Sequence, residues 1–201
     1  MNVLMALCLG IGLSAACGFR VFIPPLALSI AAHSGAIQLS PDWQWVGNYP
    51  ALITLAIAAT IEVLAYFIPW VSNMLDSIEI ALAPMAGMFV TASSLSIAGE
   101  FNPVIVWTVA AITGGVTAET VEVATSMTRL VTSGATGGMG GPIVSLLEVL
   151  SSIVLSILAI TVPILAIFLV LFLIIYGGGK ILRFISKRKR RRQMKAFLDE
   201  R

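Results

Sequence analysis

Gly18-Phe19-Arg20-Val21-Phe22-Ile23-Pro24-Pro25 interrupts an N-terminal run that is otherwise almost wholly apolar. Arginine at the centre of a membrane helix costs about 2.5–3.5 kcal/mol on insertion scales. Each proline lacks a backbone N–H and disrupts the helical turn before it. The stretch therefore predicts a membrane segment interrupted at Gly18–Pro25, with Arg20 at an unwound point where Pro24 and Pro25 leave carbonyls free. Backbone of that kind is tolerated at membrane depth where it lines a cavity or is buried in protein.

The rest of the chain supports a membrane setting. Its 201 residues are 58% hydrophobic and 11% charged, with a mean hydropathy of +1.00, whereas a soluble domain carries roughly 25% charged residues. Ten of the twelve Lys and Arg lie in 180–201, while eight of the ten acids precede residue 180. The pI of 8.7 thus describes a basic tail on an acidic apolar body. Cys8 and Cys17 are about 13 Å apart on a continuous helix, too far to bridge. The N-terminal run lacks a basic n-region and reads as a membrane segment rather than a cleaved signal.

Punctuation divides the apolar body. The first segment runs from Val3 to about Ala32, followed by a polar loop at 34–48 that holds Trp43 and Trp45 but no Lys or Arg. Asn48-Tyr49-Pro50 opens a second helix, with proline at its favoured first-turn position, running to about Pro69. A third is expected from about Asp76, where Asp76 and Glu79 form a capping box, to Ala98. Asn102-Pro103 opens a fourth, reaching about Ser126. The apolar run 142–176 would make a rod of about 52 Å against a hydrocarbon core of about 30 Å. A hairpin or sharp kink is expected at Val162-Pro163.

The fold class is therefore all-α integral membrane protein with about six transmembrane segments, five being the alternative. The membrane domain spans 1–179 and the basic tail 180–201. The positive-inside rule places that tail in the cytoplasm of an inner (plasma) membrane protein. Six segments put the N-terminus inside and the tryptophan loop outside; five would put the N-terminus outside. Spacing of small residues in 11–25 and 114–128, and Ile-Glu-Val-Leu at 61–64 against Leu-Glu-Val-Leu at 147–150, raise inverted halves, 1–98 and 103–179, an arrangement known from transporters.

Three ordered motifs, CGFRVFIPPLAL, TIEVLAYFIPWVSNMLD and TRLVTSGATGGMGGPIVSLLE, make the chain resemble the bacterial membrane family of domain of unknown function 4126 over nearly all its length before the tail. Members tend to read Gly-Asn-Pro where Gly140-Gly141-Pro142 stands, and often carry Asp where Asn73 stands. The resemblance implies a multi-span inner-membrane protein and no established activity.

Ionisable residues deep in a membrane are functional candidates. Arg20 and Glu62 both fall near the midplane and are expected to pair, either in a working site or as a static ion pair that sets helix register. Glu148 follows a glycine loop holding Gly138 and Gly140, whose free N–H groups at a helix start would form an inner-side site; a simple connector is the alternative. Glu119 and Glu122 share a helix face and are secondary candidates with Arg129 and Asp76, their plainer reading being contact with interface water or Arg129. Lys187, Arg188, Lys189, Arg190, Arg191 and Arg192 signal topology and suit anionic lipid headgroups.

Transport of a small solute or ion is the leading function, with the site at the broken helices. A lipid-handling protein that holds a phosphate headgroup is the alternative, and a non-transporting scaffold a further one. One histidine, no HExxH and no spaced Cys/His cluster give no expectation of an enzyme, metal or cofactor. The expected partners are the bilayer, its anionic lipids and a small solute or ion, with homo-oligomerisation left open and nucleic acid excluded.

Overall fold

The computed structural model describes residues 2–136 and 141–175. Its elements are α1 (Val3–Cys17), α2 (Ile23–His33), a 3-10 turn (Pro41–Gly47), α3 (Tyr49–Ala65), α4 (Pro69–Leu95), α5 (Pro103–Val109), a π-helical turn (Ala110–Gly115), α6 (Val116–Thr136) and α7 (Gly141–Thr161). A further apolar helix, α8, covers Pro163–Ile175. Prolines write most of these boundaries: of the nine, only Pro84 lies inside a helix. The others occupy first turns, where no intrahelical N–H bond is lost. Asn102 caps α5, its Oδ1 accepting from the Val104 N–H at 2.9 Å.

The interruption at Gly18 is more than a kink. α1 runs antiparallel to α4: Gly10 abuts Thr91, the Ser14 hydroxyl donates to the Gly87 carbonyl at 2.8 Å, and Arg20 reaches Glu79. α2 then runs back beside α3, with Val21 and Phe22 at Glu62 and His33 against Tyr49, ring centroids 4.6 Å apart. The first apolar segment is thus a helical hairpin whose tip is Gly18–Phe22. Its open ends lie with the tryptophan loop at one end of the bundle, the tryptophan end. The expectation of one span with its two ends on opposite faces is corrected. α1 and α2, at about 22 and 16 Å, are each shorter than a hydrocarbon core.

A second reversal occurs where Val162-Pro163 marked it. A Cβ at Gly12 would lie 2.8 Å from the Ala159 methyl and 3.1 Å from that of Ala166. The two methyls are therefore within about 6 Å, whereas seven residues of continuous helix would separate them by about 10 Å. α7 and α8 form a hairpin entering from the opposite end, the arginine end. Leu155, Ala159, Ala166 and Val170 from it join Leu9, Leu13 and Leu28 of the first hairpin in one core.

Among the described residues, three helices are long and apolar enough to cross a membrane, Trp70–Ala98, Pro103–Thr132 and Ile143–Thr161. The turn Pro41–Gly47 with α3 makes a fourth, bent by 53°. The third helix starts at Pro69, seven residues earlier than its acids led us to expect. Asp76 and Glu79 therefore lie inside α4 and cap nothing. The fourth segment is continuous from α5 to α6 except for the π turn, so 114–128 does not repeat the break of 11–25.

Candidate functional site

The tip of the first hairpin meets α3, α4, α6 and α7, and every one of these elements brings an ionisable or polar side chain to it. Gly18 makes the approach to α6 feasible: a Cβ there would lie 2.6 Å from the Val121 Cβ and 2.9 Å from the Glu122 nitrogen. Thr125 Oγ1 donates to the Gly18 carbonyl at 3.2 Å. Beyond the break, the free amides of Val21 and Phe22, which lead into α2, need acceptors. The Glu62 carboxylate supplies them, taking the Val21 N–H at 2.7 Å and the Phe22 N–H at 3.1 Å.

Arg20 is fully buried and its guanidinium turns elsewhere. Nη2 donates to the Ser145 hydroxyl and, at 3.2 Å, to Glu148 Oε2, while Nη1 lies 3.9 Å from Glu79 Oε1. Its Cζ stands 3.7 Å from the centroid of the Tyr66 ring, close enough for cation–π attraction. The expected Arg20–Glu62 ion pair is therefore corrected: both residues do meet at the break, but Glu62 caps its backbone and Glu148 pairs the arginine. The reason is geometric. Only Val21 and Phe22 separate Arg20 from α2, and their exposed amides, rather than the arginine side chain, face α3.

Arg129 closes the group from α6. Nε donates to Glu148 Oε1 at 2.8 Å and Nη1 to the Tyr66 hydroxyl at 2.8 Å. It also forms an ion pair with Asp76, and Nη2 lies 3.8 Å from Glu79 Oε2. Glu148 thus bridges both arginines. The Tyr66 hydroxyl lies 2.6 Å from Glu79 and 2.8 Å from Asp76. It has one hydrogen, so it serves only one of those carboxylates at a time.

Glu122 is fully buried; Oε1 accepts from Ser126 at 2.7 Å and Oε2 has no partner. Arg20 Nε and Nη1, Glu79 Oε1 and Arg129 Nη2 are likewise buried without a hydrogen bond. Two arginines therefore face five acids: Glu62, Asp76, Glu79, Glu122 and Glu148. Only Asp76 is appreciably exposed, its side chain at 29%. Glu119 lies apart, lining an outward groove with Pro84, Met88 and Val123.

The sequence candidates Arg20, Glu62, Asp76, Glu122, Arg129 and Glu148 converge here. Pro24 and Pro25 sit buried in the first turn of α2, opening that helix rather than kinking one. Gly138, Gly140 and the tail residues Lys187, Arg188, Lys189, Arg190, Arg191 and Arg192 lie outside the described residues. Sequence reading passed over Tyr66 and Ser145, and took Glu79 for a cap. Glu79 could have been recognised, being a carboxylate three residues from Asp76 on the same face of an apolar helix. Among the described residues, no three His, Cys, Asp or Glu are arranged to hold a metal ion.

Residues 7–178 match the family described as Domain of unknown function (DUF4126), and the chain belongs to that family. No curated protein and no solved structure matches the chain.

Proposed function

We propose that the protein is a transporter that moves a small cation, or a solute coupled to protons, across the plasma membrane, with the buried cluster as its ion-binding site. One observation carries this reading: five acids surround two arginines in a site sealed except at Asp76. A buried carboxylate in excess of its partners is neutralised by a proton or a cation. Glu122, with one oxygen unpartnered, is the acid with most need of one. A phosphate headgroup would instead meet five carboxylates and two guanidiniums already engaged by acids. The geometry therefore supports a cation over the lipid alternative, and unpartnered buried atoms support a working site over a scaffold.

In this reading α3, α4 and α5–α6 cross the bilayer, while the α1–α2 hairpin enters from outside and the α7–α8 hairpin from inside. The tryptophan end is then extracellular and the basic tail cytoplasmic. Helix rise puts Glu148 about 10 Å from the start of α7 and Glu62 about 20 Å from the start of α3, so the cluster lies nearer the cytoplasm.

The test is flux in liposomes. Purified protein with an internal pH dye is subjected to pH and voltage gradients, with and without a solute panel. Gradient-driven proton movement is expected, falling at least tenfold in Glu122→Gln and Glu79→Gln variants that remain monodisperse. Absence of flux under every condition, or flux unchanged in both variants, would overturn the reading.

A further inference from the structure

The tryptophan end carries a second feature, about 20 Å of helix away from the charge cluster. The loop 34–48 folds over the ends of α4 and α5 and places Trp43 against Phe89 and Trp107, with ring centroids 5.4 and 6.0 Å apart. Trp45 reaches Phe89 at 5.9 Å. The planes are tilted by 44–59° rather than stacked, so the rings form facets of a recess of about 700 Å³. Asp42 and Glu100 line the same recess, and both are exposed.

Charge makes this more than a belt of interfacial aromatics. The sequence has no Lys or Arg between Arg20 and Arg129, so neither loop that builds the recess brings a cation to neutralise these acids. The electron-rich faces of indole attract cations, most strongly when the cation is bulky and weakly hydrated. A bare metal ion would keep its water and gain little from the rings. We propose that the recess binds a small organic ammonium ion, with Trp43, Trp45 and Trp107 supplying cation–π faces and Asp42 and Glu100 supplying the counter-charge. A volume of this size accommodates an ammonium group with an attached chain.

The site stands independently of transport, because it is defined by equilibrium binding. The probes are choline and its uncharged carbon isostere 3,3-dimethylbutan-1-ol, titrated into purified protein by calorimetry and intrinsic tryptophan fluorescence. Choline should give a saturable signal, with the isostere binding at least about tenfold more weakly, in keeping with a desolvated cation–π contact. Trp43→Ala should lose a similar factor and Trp43→Phe should regain most of it. The surface pair Asp42→Asn/Glu100→Gln should weaken choline several-fold and remove the salt dependence of binding. Equal binding of the isostere would reduce the recess to an apolar patch and overturn the proposal. So would choline binding unchanged in Trp43→Ala, a well-behaved Trp43→Phe no better than the alanine variant, or an unaltered salt dependence in the acid pair.

Discussion

The Glu62 carboxylate accepts the Val21 N–H at 2.7 Å, so a side chain of α3 completes the backbone where the first hairpin turns. Its second oxygen takes the next amide, that of Phe22. Glu62→Ala should destabilise by about 1–3 kcal/mol for each amide left without an acceptor. Glu62→Gln should fall between, because its carbonyl can serve only one amide while its NH2 faces the other. Adding Arg20→Met to Glu62→Leu should not restore stability, since the two residues are not ion partners. Full recovery in that double variant, measured by thermal unfolding in detergent, would mean that charge balance rather than amide capping is Glu62's role.

Arg20 and Glu148 should show the opposite behaviour. Removing one member of a buried pair typically costs about 3–5 kcal/mol, whereas replacing both with apolar residues of similar size is far milder. Arg20→Met and Glu148→Leu should each be damaging, and together should be more stable than either alone. Recovery will be incomplete, because Glu148 also holds Arg129. Strict additivity of the two losses would show that the contact carries no coupling energy.

The hairpin makes a sidedness prediction. In a background lacking Cys8 and Cys17, single cysteines at Asn2 and Ser40 should be labelled by an impermeant reagent from the same face of the membrane. A cysteine at Ser186 should require permeabilisation. Labelling of Asn2 and Ser40 from opposite faces would restore the continuous first span and remove the hairpin.

Glycines separate packing from conformation. A Cβ on Gly114, in the π turn, would run into the Thr91 hydroxyl and the Gly87 carbonyl and lie 2.8 Å from the Thr91 Cβ. Gly114→Ala should therefore cost about 1–3 kcal/mol through overpacking. Gly35 has nothing within 4 Å but a φ of +77°; Gly35→Ala should cost about 1 kcal/mol, and Gly35→Asn less. Equal tolerance at both positions would contradict the close crossing of α4 with the π turn.

Helix starts were legible because proline and asparagine act locally: Pro50, Pro103 and Pro163 lie where their backbone restrictions put them. The break at Gly18 was legible for the same reason. Its direction was not, since whether a broken helix continues or folds back depends on distant surfaces, here Glu62 and the small residues of α4. The candidate acids could be picked out as costly residues in apolar helices, but their partners could not. Glu62 at 61–64 and Glu148 at 147–150 sit in similar tetrapeptides and reach the same hairpin tip, yet one takes backbone amides and the other a guanidinium. That choice depends on which helix start faces which wall. The π turn left no local signal beyond Gly114-Gly115.

Arg20 and Glu148 stand 128 residues apart in the chain. At about 5–20 residues synthesised per second, the arginine emerges roughly 6–25 s before the acid that completes its ion pair. Through most of that interval the arginine has only Glu79, 59 residues further on and 3.9 Å away, as an acidic partner. The seating of the first hairpin between α4 and α7 is therefore a late event in biogenesis, timed by the ribosome rather than by the speed of helix formation.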